Sequence, residues 1–127
     1  MSALQTILVV DDDDFMRMLL EDALSDHFRV ITAASGEEAL IRVRDDLPGV
    51  ILLDIEMADG IDGYETCRRL KSGGIGASVP VIFVSGHEGE EARRKGIEAG
   101  GVDFVVKPFN PPEVVSRVLA ALASPGR

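Results

Sequence analysis

The sequence lacks any apolar run long enough to cross a membrane. Its longest aliphatic stretches, such as residues 50–53, fall far short of the roughly 20 apolar residues that span a bilayer. The first residues also lack the basic and then apolar pattern of a secretory signal. We therefore expect a cytoplasmic protein that makes no contact with a membrane.

Cysteine and positive charge are both scarce. Cys67 is the one cysteine, so no internal disulfide can form, which suits a reducing cytoplasm. The formal net charge is −9 at pH 7, with 13 Lys and Arg residues against 22 Asp and Glu residues. This excess of acid argues against direct nucleic-acid binding by the domain, and it suits a cation site or a basic partner surface.

The length and the hydrophobic content are those of one small globular domain. The chain has 127 residues, enough for one hydrophobic core, and 46% of them are hydrophobic. We expect a single domain over residues 1–127. Its core should cover about 5–123, and residues 124–127 should be a tail or a cut linker.

Short apolar runs along the chain predict buried strands. Residues 50–53 show no polar alternation, which is typical of a strand covered on both faces in a parallel sheet. The second run is more polar and is expected at the sheet edge. The predicted strands are Thr6–Val10, Arg29–Ala33, Val50–Asp54, 79–84 and Asp103–Val106.

Helical patterns follow each strand. Ser35 and Glu38 have the spacing of a capping box, and Asn110 followed by prolines is a strong helix start. The run of aspartates before the first helix has two interpretations: a solvated helix start capped by Asp12 or Asp13, or part of a site. The predicted helices are 15–26, 36–47, 64–71, 88–99 and one that begins after Asn110.

The apolar stripes of these helices predict which side chains pack in the core. We expect Phe15, Met16 and Met18 to be core residues. In the fourth helix, glycines 89 and 96 should weaken the helix, because each interior glycine costs about 1 kcal/mol relative to alanine. The expected stripe of the last helix is Val114, Val115, Val118, Leu119 and Leu122.

The alternation of strands and helices predicts an α/β fold, a doubly wound (βα)5 sandwich of the flavodoxin-like type. Its parallel sheet should have the order 2-1-3-4-5. This order reverses direction between the first and third strands. Ligands bind at that point, beyond the carboxyl ends of the strands.

Polar residues stand at those carboxyl ends. Asp11 and Asp12 follow the first strand, Asp54 ends the third, Ser85 follows the fourth and Lys107 follows the fifth. Clustered carboxylates repel one another unless a cation joins them, and oxygen ligands suit Mg²⁺. An aspartate can be a nucleophile, while an ammonium and a hydroxyl can hold phosphoryl oxygens. The residues therefore predict a phosphoryl-transfer site.

The combined spacing of several motifs resembles the receiver domain of bacterial two-component response regulators, over essentially the whole chain. The motifs are Val9-Val10-Asp11-Asp12, Leu53-Asp54, Asp62-Gly63-Tyr64-Glu65, Val84-Ser85-Gly86 and Lys107-Pro108-Phe109. The resemblance implies that Asp54 accepts a phosphoryl group from a sensor histidine kinase or a histidine phosphotransfer protein. It implies a signalling domain that assists its own phosphorylation and dephosphorylation rather than an enzyme.

The resemblance also implies how the site binds a cation and the phosphoryl group. Asp12, Asp54 and the backbone carbonyl of Glu56 would bind Mg²⁺, with Mn²⁺ as a substitute. Asp11 would act through water. Lys107 would hold a phosphoryl oxygen.

Further roles follow from the resemblance. Ser85 would be the switch hydroxyl, and Phe104 stands at the aromatic switch position, from which it could turn inward on phosphorylation. The face made by helix 4, strand 5 and helix 5 would control a downstream protein or a fused output domain. Glu56 and His87 stand where the family tunes dephosphorylation, and both also fit solvated loop residues. The Lys107-Pro108 bond resembles the family's cis peptide.

Two departures from the family concern the loop 55–63. Ala58 stands where the family commonly has a proline, and the loop is one residue longer than usual. Both leave the path of the loop open.

Two other functions compete with a phosphorylation-switched receiver. An aspartate-nucleophile phosphatase of the haloacid-dehalogenase type would carry its nucleophile on the first strand, with a second aspartate two residues on, and a cap domain. Here Asp54 is on the third strand, Glu56 follows it, and there is no room for a cap. A receiver-like interaction module that does not use phosphate would not need the acids together with Ser85 and Lys107.

Overall fold

The computed structural model describes residues 4–74, 76–86 and 89–123. In this part of the chain, five parallel strands form one sheet of order β2-β1-β3-β4-β5, which confirms the predicted fold class and strand order. The strands are β1 (Thr6–Val10), β2 (Arg29–Ala33), β3 (Val50–Asp54), β4 (Val81–Ser85) and β5 (Asp103–Val106). The helices are α1 (Asp14–Leu24), α2 (Gly36–Asp45), α3 (Gly63–Ser72), α4 (Glu90–Ala99) and α5 (Pro111–Leu122).

The helix starts follow the capping side chains. Asp13, rather than Asp12, caps α1 by accepting hydrogen bonds from two amides of its first turn. Asn110 caps α5 as predicted, and Ser35 accepts from the amide of Glu38. The Glu38 carboxylate accepts from the amide of Ala34, the residue before the cap, so the capping box closes one residue early.

Strand β4 begins at Val81, later than predicted. Pro80 has no N–H to donate to a neighbouring strand, although its carbonyl accepts from the amide of Ile51 at 3.0 Å. The amide of Val79 donates instead to the carbonyl of Gly76, within a turn. The predicted strand start at residue 79 is therefore wrong.

The sheet has a hydrophobic core on each face, because successive side chains of a strand point to opposite faces. In β3, Ile51 and Leu53 pack with residues of α2, α3 and α4. Val50 and Leu52 pack on the other face with residues of α1 and α5. The sheet is thus covered on both sides, as the unbroken apolar runs predicted.

Two of the three residues expected in the core of α1 are exposed instead. Phe15 and Met18 have 59% and 50% of their surface exposed, while Met16 is half-buried against the core. Leu20 and Leu24, four residues apart, set the buried side of α1. Met16 lies on that side at the same four-residue spacing, whereas the other two lie off it.

The stripe of α5 is narrower than predicted. Val114 and Val118 are fully buried, and Val115 and Leu122 are partly buried. Leu119 is 51% exposed, so its assignment to the buried stripe is wrong. A helix that packs on one face of a sheet buries only the side that faces the sheet.

The glycines of the α4 region have roles other than softening a helix interior. Gly89 lies before the first residue of α4, as its N-cap, with a φ of 119° that side chains rarely adopt. Gly96 is inside the helix, and a Cβ added there would lie 3.0 Å from the ring of Phe83. It lets α4 approach the sheet closely. The predicted start of this helix at Glu88 lies outside the described residues.

Within the ranges given above, no helix combines the length and the apolar character needed to cross a membrane. The expected tail, residues 124–127, lies outside the described part of the chain.

Candidate functional site

Strand register brings the acidic residues together. Val10 pairs with Leu53 in the parallel ladder between β1 and β3, so Asp11 and Asp54, the next residues, emerge side by side. This is the point at which the strand order reverses. Parallel strands end at a common edge, and a crevice opens there in doubly wound sheets.

Ser85 ends β4, and Lys107 directly follows β5, at the same edge of the sheet. Ser85 pairs with Val106, and the amide of Lys107 donates to the Ser85 carbonyl at 2.7 Å. Asp54 pairs with Val84, one residue before the serine. Ser85 is 1% exposed, so it is buried at this edge of the sheet. The structure therefore brings together the strand-end residues that the sequence singled out.

The carboxylates form a tight cluster with one lysine. Asp11, Asp12 and Asp54 each offer an oxygen, and these oxygens all lie within 4.8 Å of one another. The Lys107 ammonium lies 3.1 Å from Asp11 Oδ2 and 3.3 Å from Asp54 Oδ1. Asp11 and Asp54 are buried, at 1% and 6% exposure, whereas Asp12 is exposed.

Electrostatics perturb this cluster. Burial, with the negative charge of Asp11, raises the pKa of Asp54 to about 6, although Lys107 opposes the shift. Burial alone would lower the pKa of Lys107, but the charges of Asp54 and Asp11 outweigh it and raise that pKa. At neutral pH Asp54 is therefore mostly ionised, and Lys107 carries its positive charge.

The donor set fits a small divalent cation. Carboxylate oxygens are the ligands that Mg²⁺ and Mn²⁺ prefer, and one or two carboxylates with waters are the usual protein share of a Mg²⁺ site. The exposed position of Asp12 leaves one side of the cluster open to solvent. A divalent cation there would also relieve the repulsion among the acids.

The turn between β1 and α1 is held by groups that the sequence reading did not single out. Arg17 donates from Nη1 to the backbone carbonyl of Asp11 at 2.7 Å, and it also pairs with Asp14. The amide of Asp13 donates to Asp11 Oδ1 at 2.9 Å. The sequence does contain a signal for this contact. Arg17 is the one basic residue close after the four aspartates, and an arginine near four acids is expected to form an ion pair.

The loop between β3 and α3 follows a defined path despite its departures from the family. The amide of Ala58 donates to Asp12 Oδ2 at 2.7 Å, and the amide of Gly63 donates to the Ile55 carbonyl at 2.8 Å. A Cβ at residue 63 would clash with the backbone of Asp54. Glu56 lies in this loop and is exposed to solvent.

Phe104 is already inside the protein. It is 4% exposed, its ring centroid lies 6.5 Å from that of Phe83, and the guanidinium carbon of Arg93 lies 5.4 Å from its centroid. The ring of Tyr64 also packs near Phe83, at 5.6 Å between centroids. From the sequence, Phe104 is expected to turn inward on phosphorylation. In this structure the ring is already buried.

Two expectations remain for this edge of the sheet. The peptide bond between Lys107 and Pro108 is cis, as predicted. His87 lies outside the described residues.

A buried aspartate beside a lysine, within a cluster of acids at the switch point of a doubly wound sheet, is typical of phosphoryl-accepting domains. A family model described as the response regulator receiver domain matches residues 7–119. The chain belongs to that family. Receivers of this family are phosphorylation-switched signalling domains, and this chain is one of them.

Relatives and solved structures agree with this assignment. The phosphate regulon transcriptional regulatory protein PhoB of Rhizobium meliloti is 38% identical over 120 residues, which are 94% of this chain and 52% of PhoB. The chemotaxis protein CheY4 of Vibrio cholerae has a TM-score of 0.88 at 27% identity, covering 94% of this chain and 99% of CheY4.

The BeF₃-activated receiver domain of DrrB, from Thermotoga maritima, has a TM-score of 0.85 at 34% identity. It covers 96% of this chain and 100% of that domain. The chain spans about half the length of the first curated relatives it matches.

Proposed function

We propose that Asp54 is the phosphoacceptor of this receiver. The supporting observation is that Asp54 ends a buried strand with its carboxylate 3.3 Å from the Lys107 ammonium and within the acid cluster. A carboxylate oxygen of Asp54 would attack the phosphorus of a phosphohistidine. The P–N bond would break, and the imidazole would leave with the electron pair of that bond.

Lys107 is proposed to hold a phosphoryl oxygen. Its ammonium already faces Asp54 and Asp11, so a phosphoryl group on Asp54 would lie within its reach. Its raised pKa keeps it charged throughout the physiological range. The charge on the transferring oxygens is then met by a fixed cation without reorganisation.

Asp12, Asp54 and the backbone carbonyl of Glu56 are proposed to hold Mg²⁺, or Mn²⁺ in its place, with Asp11 acting through water. When bound, the cation supplies positive charge to the phosphoryl oxygens. Asp12 is suited to this role because it is exposed at the open side of the cluster.

The switch is proposed to run from Ser85 to the face of α4, β5 and α5. Ser85 would move toward the phosphoryl group. Phe104, whose ring packs against that of Phe83 in β4, would then adjust to the space that Ser85 leaves. Glu56 and His87 would tune the lifetime of the phosphoryl group. Amide exchange with and without beryllofluoride should change first between residues 86 and 105. Changes confined to α2 would contradict this output face.

Partners follow from the proposed chemistry. A sensor histidine kinase or a histidine phosphotransfer protein would supply the phosphoryl group in the cytoplasm. A downstream protein or a fused output domain would read the switched face. We propose that the domain, with its core over about 5–123, does not bind nucleic acid itself and is no enzyme beyond assisting its own phosphorylation and dephosphorylation.

The acceptor is tested by mass after treatment with acetyl phosphate and Mg²⁺. The native chain should gain about 80 Da, the mass of one phosphoryl group on a carboxylate. Asp54→Asn should abolish the gain, and Asp12→Ala should abolish the gain that depends on Mg²⁺. Asp22→Asn, which changes an exposed acid of α1 outside the cluster, is the matched control and should label normally.

Each alternative function has its own outcome in that experiment. Hydrolysis of acetyl phosphate without an adduct that accumulates would indicate a phosphatase. Absence of both adduct and hydrolysis would indicate a phosphate-independent module. Undiminished labelling of Asp54→Asn at another aspartate would overturn the assignment of the acceptor.

A further inference from the structure

The carboxylate of Asp12 is held by the long loop between β3 and α3. The distance from Ala58 N to Asp12 Oδ2 is 2.7 Å. Among the described residues, Lys107 reaches the carboxylates of Asp11 and Asp54 but not that of Asp12. The Ala58 amide therefore serves the one acid of the cluster that the lysine does not neutralise.

A second hydrogen bond holds the same loop from the opposite side. Glu37, in the first turn of α2, accepts from the amide of Ile61 with 3.1 Å between Ile61 N and Glu37 Oε2. Gly60 has a φ of 80°, and the Glu37 carboxylate occupies the space where a Cβ of residue 60 would lie. The loop is thus held on one side by the β1–α1 turn and on the other by α2.

We propose that these two hydrogen bonds, Ala58 to Asp12 and Ile61 to Glu37, form a loop clamp that positions the cation site. Ala58 acts through its backbone amide and is a positioning residue. The inference rests on the proposed function, because it assigns Asp12 and the Glu56 carbonyl as cation ligands. It adds that residue 58 sets the affinity of the site and that α2 is coupled to it.

The physical reason lies in the exposure of Asp12. An exposed carboxylate samples several rotamers, and a charge-assisted hydrogen bond from a backbone amide restricts it to one. The same bond ties the loop segment that carries Glu56 to the turn that carries Asp12. Hydrogen-bond donors to metal-binding carboxylates are typically worth about 10- to 100-fold in metal affinity.

A proline at residue 58 would remove the donor, because proline has no N–H. We therefore expect Ala58→Pro to weaken Mg²⁺ binding about tenfold, measured by calorimetry, and Mn²⁺ binding equally, measured by electron paramagnetic resonance. Ala58→Gly is the matched control. It keeps the N–H and adds only backbone freedom, so its loss should stay within about threefold.

The α2 side of the clamp is tested by a second matched pair. Glu37→Ala removes the acceptor of the Ile61 amide, whereas Glu37→Gln keeps an oxygen there without the charge. Glu37→Ala should weaken Mg²⁺ binding by less than Ala58→Pro does, and Glu37→Gln should stay close to the native affinity. Equal losses in both variants would mean that the charge of Glu37, not the clamp, influences the cation.

Failure of the clamp and failure of the proposed function give different results. A native chain that binds neither Mg²⁺ nor Mn²⁺ would overturn the proposed cation site. A native chain that binds them, together with an Ala58→Pro variant of unchanged affinity, would overturn the clamp alone. An equal loss in Ala58→Gly and Ala58→Pro would also overturn it, because the glycine variant keeps the N–H and loss of the donor could not then be the cause.

One replacement removes the donor without introducing a proline ring. Incorporating lactic acid at residue 58 exchanges the amide N–H for an ester oxygen and leaves the side chain unchanged. If Ala58→Pro fails to fold, this ester variant decides the question. The same tenfold loss supports the clamp, and native affinity rejects it.

Discussion

Ion pairs at the carboxyl edge of the sheet and ion pairs on the helix surfaces use the same chemical groups in opposite surroundings. At the edge, the side chains of Lys107, Asp11 and Asp54 are 20%, 2% and 7% exposed. On α4, the side chains of Arg94 and Glu98 are 54% and 62% exposed. Water screens the second pair and stabilises each charge alone, whereas the buried charges depend on one another.

The perturbation of carboxyl pKa values differs in direction between the two regions. Burial and the neighbouring acid Asp11 raise the pKa of Asp54 to about 6. Hydrogen bonds from Arg69 and Arg68 lower the pKa of Glu65 on α3. Ionisation that the folded state disfavours lowers stability, and groups of this kind cluster at functional sites. Ionisation that the folded state favours adds stability.

The largest expected effect comes from removing Lys107, the partly buried lysine of the acid cluster. In the presence of a chelator at neutral pH, Lys107→Met should lower the free energy of unfolding by about 2 to 3 kcal/mol, because two buried carboxylates lose their cation. Proton uptake by a carboxyl limits the loss. Arg94→Met on the surface of α4 is the matched control and should change stability far less, because water screens its ion pairs. Urea unfolding measures both, and equal losses would abolish the contrast.

An effect of opposite sign is expected for Asp54, the proposed phosphoacceptor. In the metal-free chain at pH 7.5, Asp54→Asn should raise the free energy of unfolding by about 1 to 3 kcal/mol, since it removes a charge that folding disfavours. The native pKa of about 6 lies above the ordinary value of 3.8, so the penalty is complete above pH 6 and fades between pH 6 and 3.8. Urea unfolding at pH 7.5 and 4 tests this. A gain that grew as the pH fell would contradict the assigned direction.

The smallest expected effect concerns the helix surface. Glu65→Gln should lower stability slightly at neutral pH, because the folded chain favours the ionised form of Glu65. A lowered folded-state pKa means that this contribution is present above the ordinary value of 4.5 and is lost as the pH falls through the folded pKa. Carboxyl NMR titration should therefore separate the two regions, with Asp54 titrating near 6 and Glu65 below 4.5.

Local pattern was sufficient for the elements and for the acids at the sheet edge. The run 50–53 is apolar without alternation, and such a strand must be covered on both faces, which leads directly to a helix-covered parallel sheet. Asp11, Asp54 and Lys107 directly follow or end strands, so parallel pairing alone brings them to one edge. Asn110 and the prolines after it likewise determine the start of α5 through local hydrogen bonding.

The apolar pattern of the sequence could not show which side of a helix faces the sheet or how closely the helix packs against it. Phe15 and Met18 are apolar at helical spacing, yet they are exposed, because the side of α1 that meets the sheet is set by Leu20 and Leu24. Gly96 suggests a weak helix in isolation, but it is the small residue that lets α4 pack against Phe83. Both outcomes depend on which surfaces face each other.

The hydrogen bond from Ala58 to Asp12 joins residues 46 positions apart, and only the tertiary structure could decide it. The spacing of apolar side chains along a strand or helix is a local property, so a short stretch of sequence is enough to specify it. The partner of a loop amide depends on where distant turns meet after the sheet has formed. The fold and the acid cluster of this receiver thus follow from its residue order, while the support of the cluster follows from packing.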